Sequence, residues 1–206
     1  MKPSVELRWF FRQHLPDEVK GWFCGSHLCK EETKHTDQYL VFPGGTHTSV
    51  KVRSGARLEI KTRTKLPEPF SLATGASVGK QDAWAKWSHE DGEVAGRLAA
   101  LGGSTEDWVP VAKKRWLRKF RVDATGQVEE IEADALVDRG CLVELADVSI
   151  RGSYWWTLAF ESFGEGKRSA DLEQVARHFL KMLPQGLALT ERDSMAYPEW
   201  LNRITG

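Results

Sequence analysis

From residue 50 to residue 65 the chain alternates with a period of two. Lys51, Arg53, Arg57, Glu59, Lys61, Arg63 and Lys65 share one parity, and Val50, Val52, Leu58 and Ile60 take the other. That period belongs to a β-strand, and Ser54-Gly55-Ala56 supplies a turn in which Gly55 can take a positive φ. The pattern predicts a β-hairpin with one ionic and one apolar face, and an ionic face of this kind most commonly meets water. A second stretch, residues 4–12, alternates in the same way, with Glu6 and Arg8 on one side.

The rest of the chain reads as strands with a few helices. Residues 15–22 predict a short helix opened by Pro16 and ended near Gly21. Residues 36–42 predict a strand broken by Pro43-Gly44-Gly45, and residues 70–89 one or two more. A connector helix is expected over 93–101, stopping at Gly102-Gly103. Residues 109–123 form a long basic strand of ambiguous parity, since Lys113 and Arg115 share a side while Lys114 and Arg118 oppose them. The acidic segment 127–138 reads as a short helix or an irregular strand. Residues 142–150 and 154–161 make a hairpin around Arg151-Gly152-Ser153, with Glu144 and Glu161 on its arms. Leu172, Val175, Ala176, Phe179 and Met182 recur at helical spacing, so a helix is expected over 170–183, capped by Ser169, closed by Pro184 and packed on the outer face of the sheet. A last short helix over 194–201 is pinned by Tyr197, Trp200 and Leu201. Many strands, helices as covers and no βαβ rhythm define an α+β protein with an antiparallel sheet, read as one domain over residues 1–206.

Composition narrows the chemistry. The 206 residues carry 29 Lys and Arg against 29 Asp and Glu, so no global field points to nucleic acid or membrane, and an electrostatic function must come from local segregation. No apolar run approaches a membrane span and no signal-peptide pattern opens the chain, so a cytoplasmic protein is expected. Three cysteines suggest reduced thiols, and Cys24, His27, Cys29 and His35 fit no usual zinc spacing. Nine tryptophans, several inside strand-like alternation, are expected in the core or the sheet wall. No histidine has a nucleophile at a recognisable spacing, and Gly44-Gly45 and Gly102-Gly103 do not form a phosphate loop.

Several stretches together resemble the CYTH superfamily, the triphosphate tunnel metalloenzymes that include class IV adenylyl cyclases, thiamine triphosphatases and inorganic triphosphatases. The family's opening Glu-x-Glu-x-Lys is similar to Ser4-Val5-Glu6-Leu7-Arg8, with Ser4 in place of the first Glu and Arg8 in place of Lys. Asp37-Gln38-Tyr39-Leu40, Lys51-Val52-Arg53, Leu58-Glu59-Ile60-Lys61 and Lys113-Lys114-Arg115 resemble its following strands. Ala159-Phe160-Glu161 falls where the family has Glu-x-Glu, and residues 194–201 resemble its closing Ser-Tyr helix.

The resemblance implies an eight-stranded antiparallel β-tunnel with helices packed outside. Arg8, Lys51, Arg53, Lys61, Arg63, Lys113 and Arg115 would bind a triphosphate, Glu6, Glu144 and Glu161 would hold Mg²⁺ or Mn²⁺, and Glu6, Arg8 and Lys61 would serve catalysis. Such a lining is chemically apt, because arginine makes bidentate contacts to phosphate oxygens, lysine acts as a point charge and a hard divalent ion bridges phosphates. Glu59 is a further carboxylate to balance the cations.

Three functions stay open. The first is a metal-dependent phosphohydrolase acting on inorganic or organic triphosphates. The second is a non-catalytic module for a phosphorylated ligand or polyphosphate, favoured by Ser4 and Ala159 in place of acids. The third is a single-stranded nucleic-acid binder, against which the balanced charge argues.

Overall fold

In a computed structural model, residues 1–53, 57–71, 77–93, 97, 107–166, 168–181 and 183–206 are described. The expected turn at 54–56, most of the helix at 93–101 with Gly102-Gly103, and Met182 lie outside them. The hairpin at the centre of the sequence pattern is formed by β4 (Thr48–Arg53) and β5 (Arg57–Arg63), antiparallel with Val50 opposite Ile60 and Lys51 opposite Glu59.

The neighbours of this hairpin close a barrel. Strands β1 (Lys2–Phe11), β3 (His35–Leu40), β7 (Ser77–Glu90), β8 (Trp108–Val122), β10 (Gly140–Ile150) and β11 (Ser153–Phe163) join it in the cyclic order β1-β11-β10-β8-β3-β4-β5-β7. Pairing of β1 with β7, Glu6 opposite Asp82, returns the sheet to its start, so eight antiparallel strands form a closed barrel. Closure satisfies both edges of every strand in the ring. The short strands β2 (Lys30–Glu31) and β9 (Val128–Ile131) pair with β8, and β6 (Glu68–Ser71) pairs with β7. The acidic segment 127–138 thus holds a short regular strand rather than a helix.

Alternation then sorts side chains into two environments. On β1, Val5, Leu7 and Trp9 point outward, and on β11 so do Trp156, Leu158 and Phe160. They are covered by α1 (Asp17–Phe23), through Val19 and Phe23, and by α2 (Arg168–Leu180), through Leu172, Val175, Ala176 and Phe179. The apolar stripe of α2 therefore lies on the outer face of the sheet, as its spacing predicts. Its ends differ from the expectation: Ser169 sits inside the first turn, and the helix stops at Leu180, ahead of Pro184. Helix α1 runs through Gly21 to Phe23 because Phe23 is fully buried against Phe179.

The other parity faces the barrel axis, where a second apolar cluster forms at one end only. Phe10, Tyr39, Val109, Val111, Ala146, Val148 and Ile150 pack there on Met195, Trp200 and Leu201. The last two belong to α3 (Tyr197–Thr205), which lies across that mouth and seals it. Phe10 stacks on Trp200 at 4.6 Å between ring centroids, and Tyr39 stacks on Tyr197 at 5.3 Å. The barrel is a cup, with α3 as its floor. Among the described residues no helix is long and apolar enough to cross a membrane.

Candidate functional site

Two residues along each strand from the sealed end, the inward side chains turn from apolar to ionic. Phe10 gives way to Arg8 and Glu6 on β1, Val111 to Lys113 and Arg115 on β8, Ala146 to Glu144 on β10, and Tyr39 to Asp37 on β3. The cavity they enclose measures about 250 Å³. Seven cations from five strands line it: Arg8, Lys51, Arg53, Lys61, Lys86, Lys113 and Arg115. The ionic face of the β4–β5 hairpin thus points into the barrel instead of into water.

Carboxylates hold these cations in three groups. In the first, Arg8 Nη1 donates to Glu144 Oε1 at 2.7 Å and Arg115 Nη1 to Glu144 Oε2 at 3.0 Å, while Arg115 also pairs with Glu32. The register explains this contact. Arg8 and Glu144 both stand opposite Ala159 on β11, and its single methyl lets the two side chains meet across it. In the second group Glu6 and Glu161 are direct cross-strand neighbours and share Lys61 Nζ, which lies 3.3 Å from Glu161 Oε1 and forms a close ion pair with Glu6. In the third, fully buried Asp37 lies 3.3 Å from Lys113 Nζ, 3.4 Å from Lys51 Nζ and 3.5 Å from Arg53 Nε. Glu59 reaches Lys51 at 3.0 Å and Arg53 at 3.7 Å.

The electrostatics follow from burial against pairing. Burial works against the charge on Glu59, but Lys51 and Arg53 overcome it and hold the carboxyl at about 2. Burial opposes Glu161 in the same way, and Lys61 and Lys86 bring it to about 2. Glu144, between Arg8 and Arg115, lies well below the usual carboxylate range despite its burial. Lys113 is the opposite case: burial pushes its ammonium well below the ordinary lysine value, Asp37 only partly offsets this, and Lys51 adds to it. Its Nζ donates to the Tyr39 hydroxyl at 2.6 Å and sits 3.9 Å from the Tyr197 ring centroid.

Asp82, on β7 opposite Glu6, is raised to about 6 by burial, with Glu6 and Glu199 adding to the effect and Arg63 at 2.8 Å opposing it. The two kinds of carboxyl give stability opposite pH dependences. The contribution of Glu59 and Glu161 is present above their ordinary 4.5 and is lost as pH falls towards 2. That of Asp82 is present below its ordinary 3.8 and is lost as pH rises through about 6. Asp82→Asn is therefore expected to raise stability by about 2 kcal/mol at pH 7.5 and to change it little at pH 4. Thermal melts at the two pH values check this, and an equal shift at both would show that the Asp82 charge is not the cause.

Of the residues singled out in the sequence, Glu6, Arg8, Lys51, Arg53, Lys61, Lys113, Arg115, Glu144 and Glu161 all line the cavity. Arg63 is placed elsewhere: it pairs with Asp82 and, at 3.8 Å, with Glu199 of α3, with its guanidinium over the Trp84 ring. Sequence reasoning did not assign Asp37, Lys86 or Glu32 to the site. A signal existed for two of them, since Asp37 alternates with Tyr39, and Lys86 with Trp84, inside predicted strands. Among the described residues Lys86 makes no ion pair within 4.0 Å, the one cavity cation of which this holds.

The three carboxylates expected to hold a metal separate into two places. Glu6 and Glu161 flank Lys61, whereas both oxygens of Glu144 are taken by Arg8 and Arg115. Among the described residues no group of three His, Cys, Asp or Glu converges on one point. The Lys61 ammonium between Glu6 and Glu161 does show that this pair accommodates a cation. Two carboxylates suit Mg²⁺ where phosphate oxygens complete its shell. Cys24 and Cys29, in the loop after α1, place their sulfurs 2.8 Å apart as free thiols.

No family model matches the chain, and no curated protein matches it. Among solved structures it is similar to that of the PH1012 protein from Pyrococcus horikoshii OT3, at 14% identity and a TM-score of 0.47, covering 97% of this chain and 98% of that one.

Proposed function

We propose that the ionic half of the cup binds the triphosphate group of a small molecule, or inorganic polyphosphate, and hydrolyses it with the help of a divalent ion. The observation that carries this reading is the convergence of seven Lys and Arg side chains on one closed-ended cavity. The resemblance to the CYTH superfamily in the strands that bear them supports it. Six carboxylates, Glu6, Glu32, Asp37, Glu59, Glu144 and Glu161, nearly balance those cations. A triphosphate arriving alone would leave a large negative excess in a poorly solvated space, which Coulomb repulsion opposes. A divalent ion taken up with it removes most of that excess.

Glu6 and Glu161 would hold that ion, Mg²⁺ or Mn²⁺. When bound, it would neutralise developing phosphoryl charge and favour an attacking water. Arg8 and Arg115 would turn from Glu144 to phosphate oxygens, Lys51, Arg53 and Lys86 would orient the outer phosphates, and Lys61 would move from its carboxylates to the phosphate. The row Arg8–Ala159–Glu144 favours a second reading, a binding module without turnover, because a methyl stands where a further carboxylate could face the ion.

Melting curves with tripolyphosphate, with and without Mg²⁺, test both readings. At a hundred times the dissociation constant the ligand adds about 2.7 kcal/mol, which raises the midpoint by roughly 5–10 °C for a chain of this size. Arg53→Ala is expected to weaken that binding about tenfold, since one charge-assisted contact is lost. Mg²⁺-dependent phosphate release identifies the hydrolase, and a shift without release identifies the module. No shift with any polyphosphate would overturn the anion site itself.

A further inference from the structure

A hollow larger than the ionic cavity lies on the far side of the α3 floor. It measures about 660 Å³, within the range of small-molecule sites. Four arginines from separate segments line it: Arg12 after β1, Arg151 in the β10–β11 turn, Arg192 ahead of α3, and Arg203 on α3. Among the described residues none of these four makes an ion pair within 4.0 Å, in contrast to six of the seven cations inside the cup. The one acid in the lining, Asp193, already accepts a hydrogen bond from the Thr190 hydroxyl at 2.7 Å. Four guanidinium groups without an ion-pair partner among the described residues therefore share one hollow.

The same hollow carries an aromatic wall. Trp155 and Trp200 line it, meeting edge to face at 5.6 Å, and Trp155 is half-buried where Trp200 is fully buried. Arg151 adds a third sign. The two-residue turn between β10 and β11 has φ +47° at Arg151 and +77° at Gly152, a geometry that favours Asn-Gly. An arginine held in the left-handed region at the rim of a cavity is strain retained where a charge is useful.

We infer that this hollow is a nucleotide site, taking an aromatic base against Trp155 and a phosphate between the guanidinium groups of Arg12, Arg151, Arg192 and Arg203. Stacking uses the exposed part of the indole, and the planar guanidinium forks suit phosphate oxygens. The site is separate from the ionic cup and does not depend on what the cup binds.

Titration of the intact protein with adenosine 5′-monophosphate, followed by tryptophan fluorescence, tests it. Saturable quenching is expected, with adenosine and inorganic phosphate each binding at least about tenfold more weakly. Arg203→Ala and Arg151→Asn should each weaken the monophosphate about tenfold while leaving the tripolyphosphate melting shift unchanged. Arg151→Asn should melt at the wild-type temperature or above it, which separates lost binding from lost folding. Arg53→Ala, inside the cup, should leave monophosphate binding intact. The inference is overturned if the monophosphate does not bind, if phosphate alone binds as well, if neither rim variant weakens it, or if Arg53→Ala abolishes it. Binding of dodecyl phosphate or oligoadenylate without binding of the mononucleotide would also overturn it.

Discussion

Glu144→Ala is expected to lower stability by about 3–5 kcal/mol at neutral pH, because it strips two largely buried arginines of the carboxylate they share. The side chains of Glu144, Arg8 and Arg115 are 13%, 11% and 13% exposed, so solvent screens the loss poorly. Arg115 keeps Glu32 as a partner, whereas among the described residues Arg8 keeps the Thr157 hydroxyl at 3.2 Å and the face of the Tyr197 ring. The unpaired guanidinium groups would then be poised for an external anion. Phosphate or tripolyphosphate should stabilise this variant more than it does the wild type, since no carboxylate has to be displaced. Melting of both proteins across a phosphate series measures the difference. A loss of stability without preferential rescue would mean that the anion does not reach Arg8 and Arg115, and would count against the triphosphate pose.

The ionic strands were legible in the sequence because alternation is local: the parity of residues 51–65 and of Glu6 and Arg8 is fixed by the period of a strand, whatever the strand packs on. The side on which that face lies was not. Its direction is set by the pairing of β1 with β7, across nearly eighty residues, which turns an open sheet into a barrel and its polar face into an interior. The same closure resolves β8, where Lys113 and Arg115 face the cup while Lys114 and Arg118 pair outside with Glu31 and Glu130. Asp37 looked like an ordinary strand residue, and only the convergence of β3, β4 and β8 gives it Lys51, Arg53 and Lys113 as neighbours. Arg63 kept the expected parity but not the expected site, because α3 brings Glu199 and β7 brings Asp82 to it. Ala159, which reads as a missing acid by resemblance, is the small residue over which Arg8 and Glu144 meet. The amphipathic pattern of 194–201 forecast a helix, which forms over Tyr197–Thr205 instead because Ser194 and Met195 pair in extended form with β1; that its aromatic residues would floor the barrel depended on the apolar ring they found at Phe10, Val111 and Ile150.

Lys61→Ala carries the complementary prediction for the cation side of the site. Burial disfavours the Lys61 ammonium, yet Glu161 and Glu6 raise its pKa above the ordinary lysine value, so the three groups exist as a unit. Without the lysine, two cross-strand carboxylates face each other with no cation between them, and one is expected to take up a proton. The folded protein then binds that proton more tightly than the unfolded chain does. Stability is retained below the ordinary carboxyl value of 4.5 and falls as pH rises above it, towards a deficit of about 3–5 kcal/mol at neutral pH. Mg²⁺ or Mn²⁺ in the space Lys61 vacates should recover much of this, with a rise in melting temperature that grows with metal concentration and disappears with EDTA. The wild type, whose lysine already occupies the place, should respond to the metal only when tripolyphosphate is present to draw Lys61 away. If the variant melts lower but ignores divalent ions at every pH, Glu6 and Glu161 do not form a metal site, and the cup is left with the anion-binding role alone.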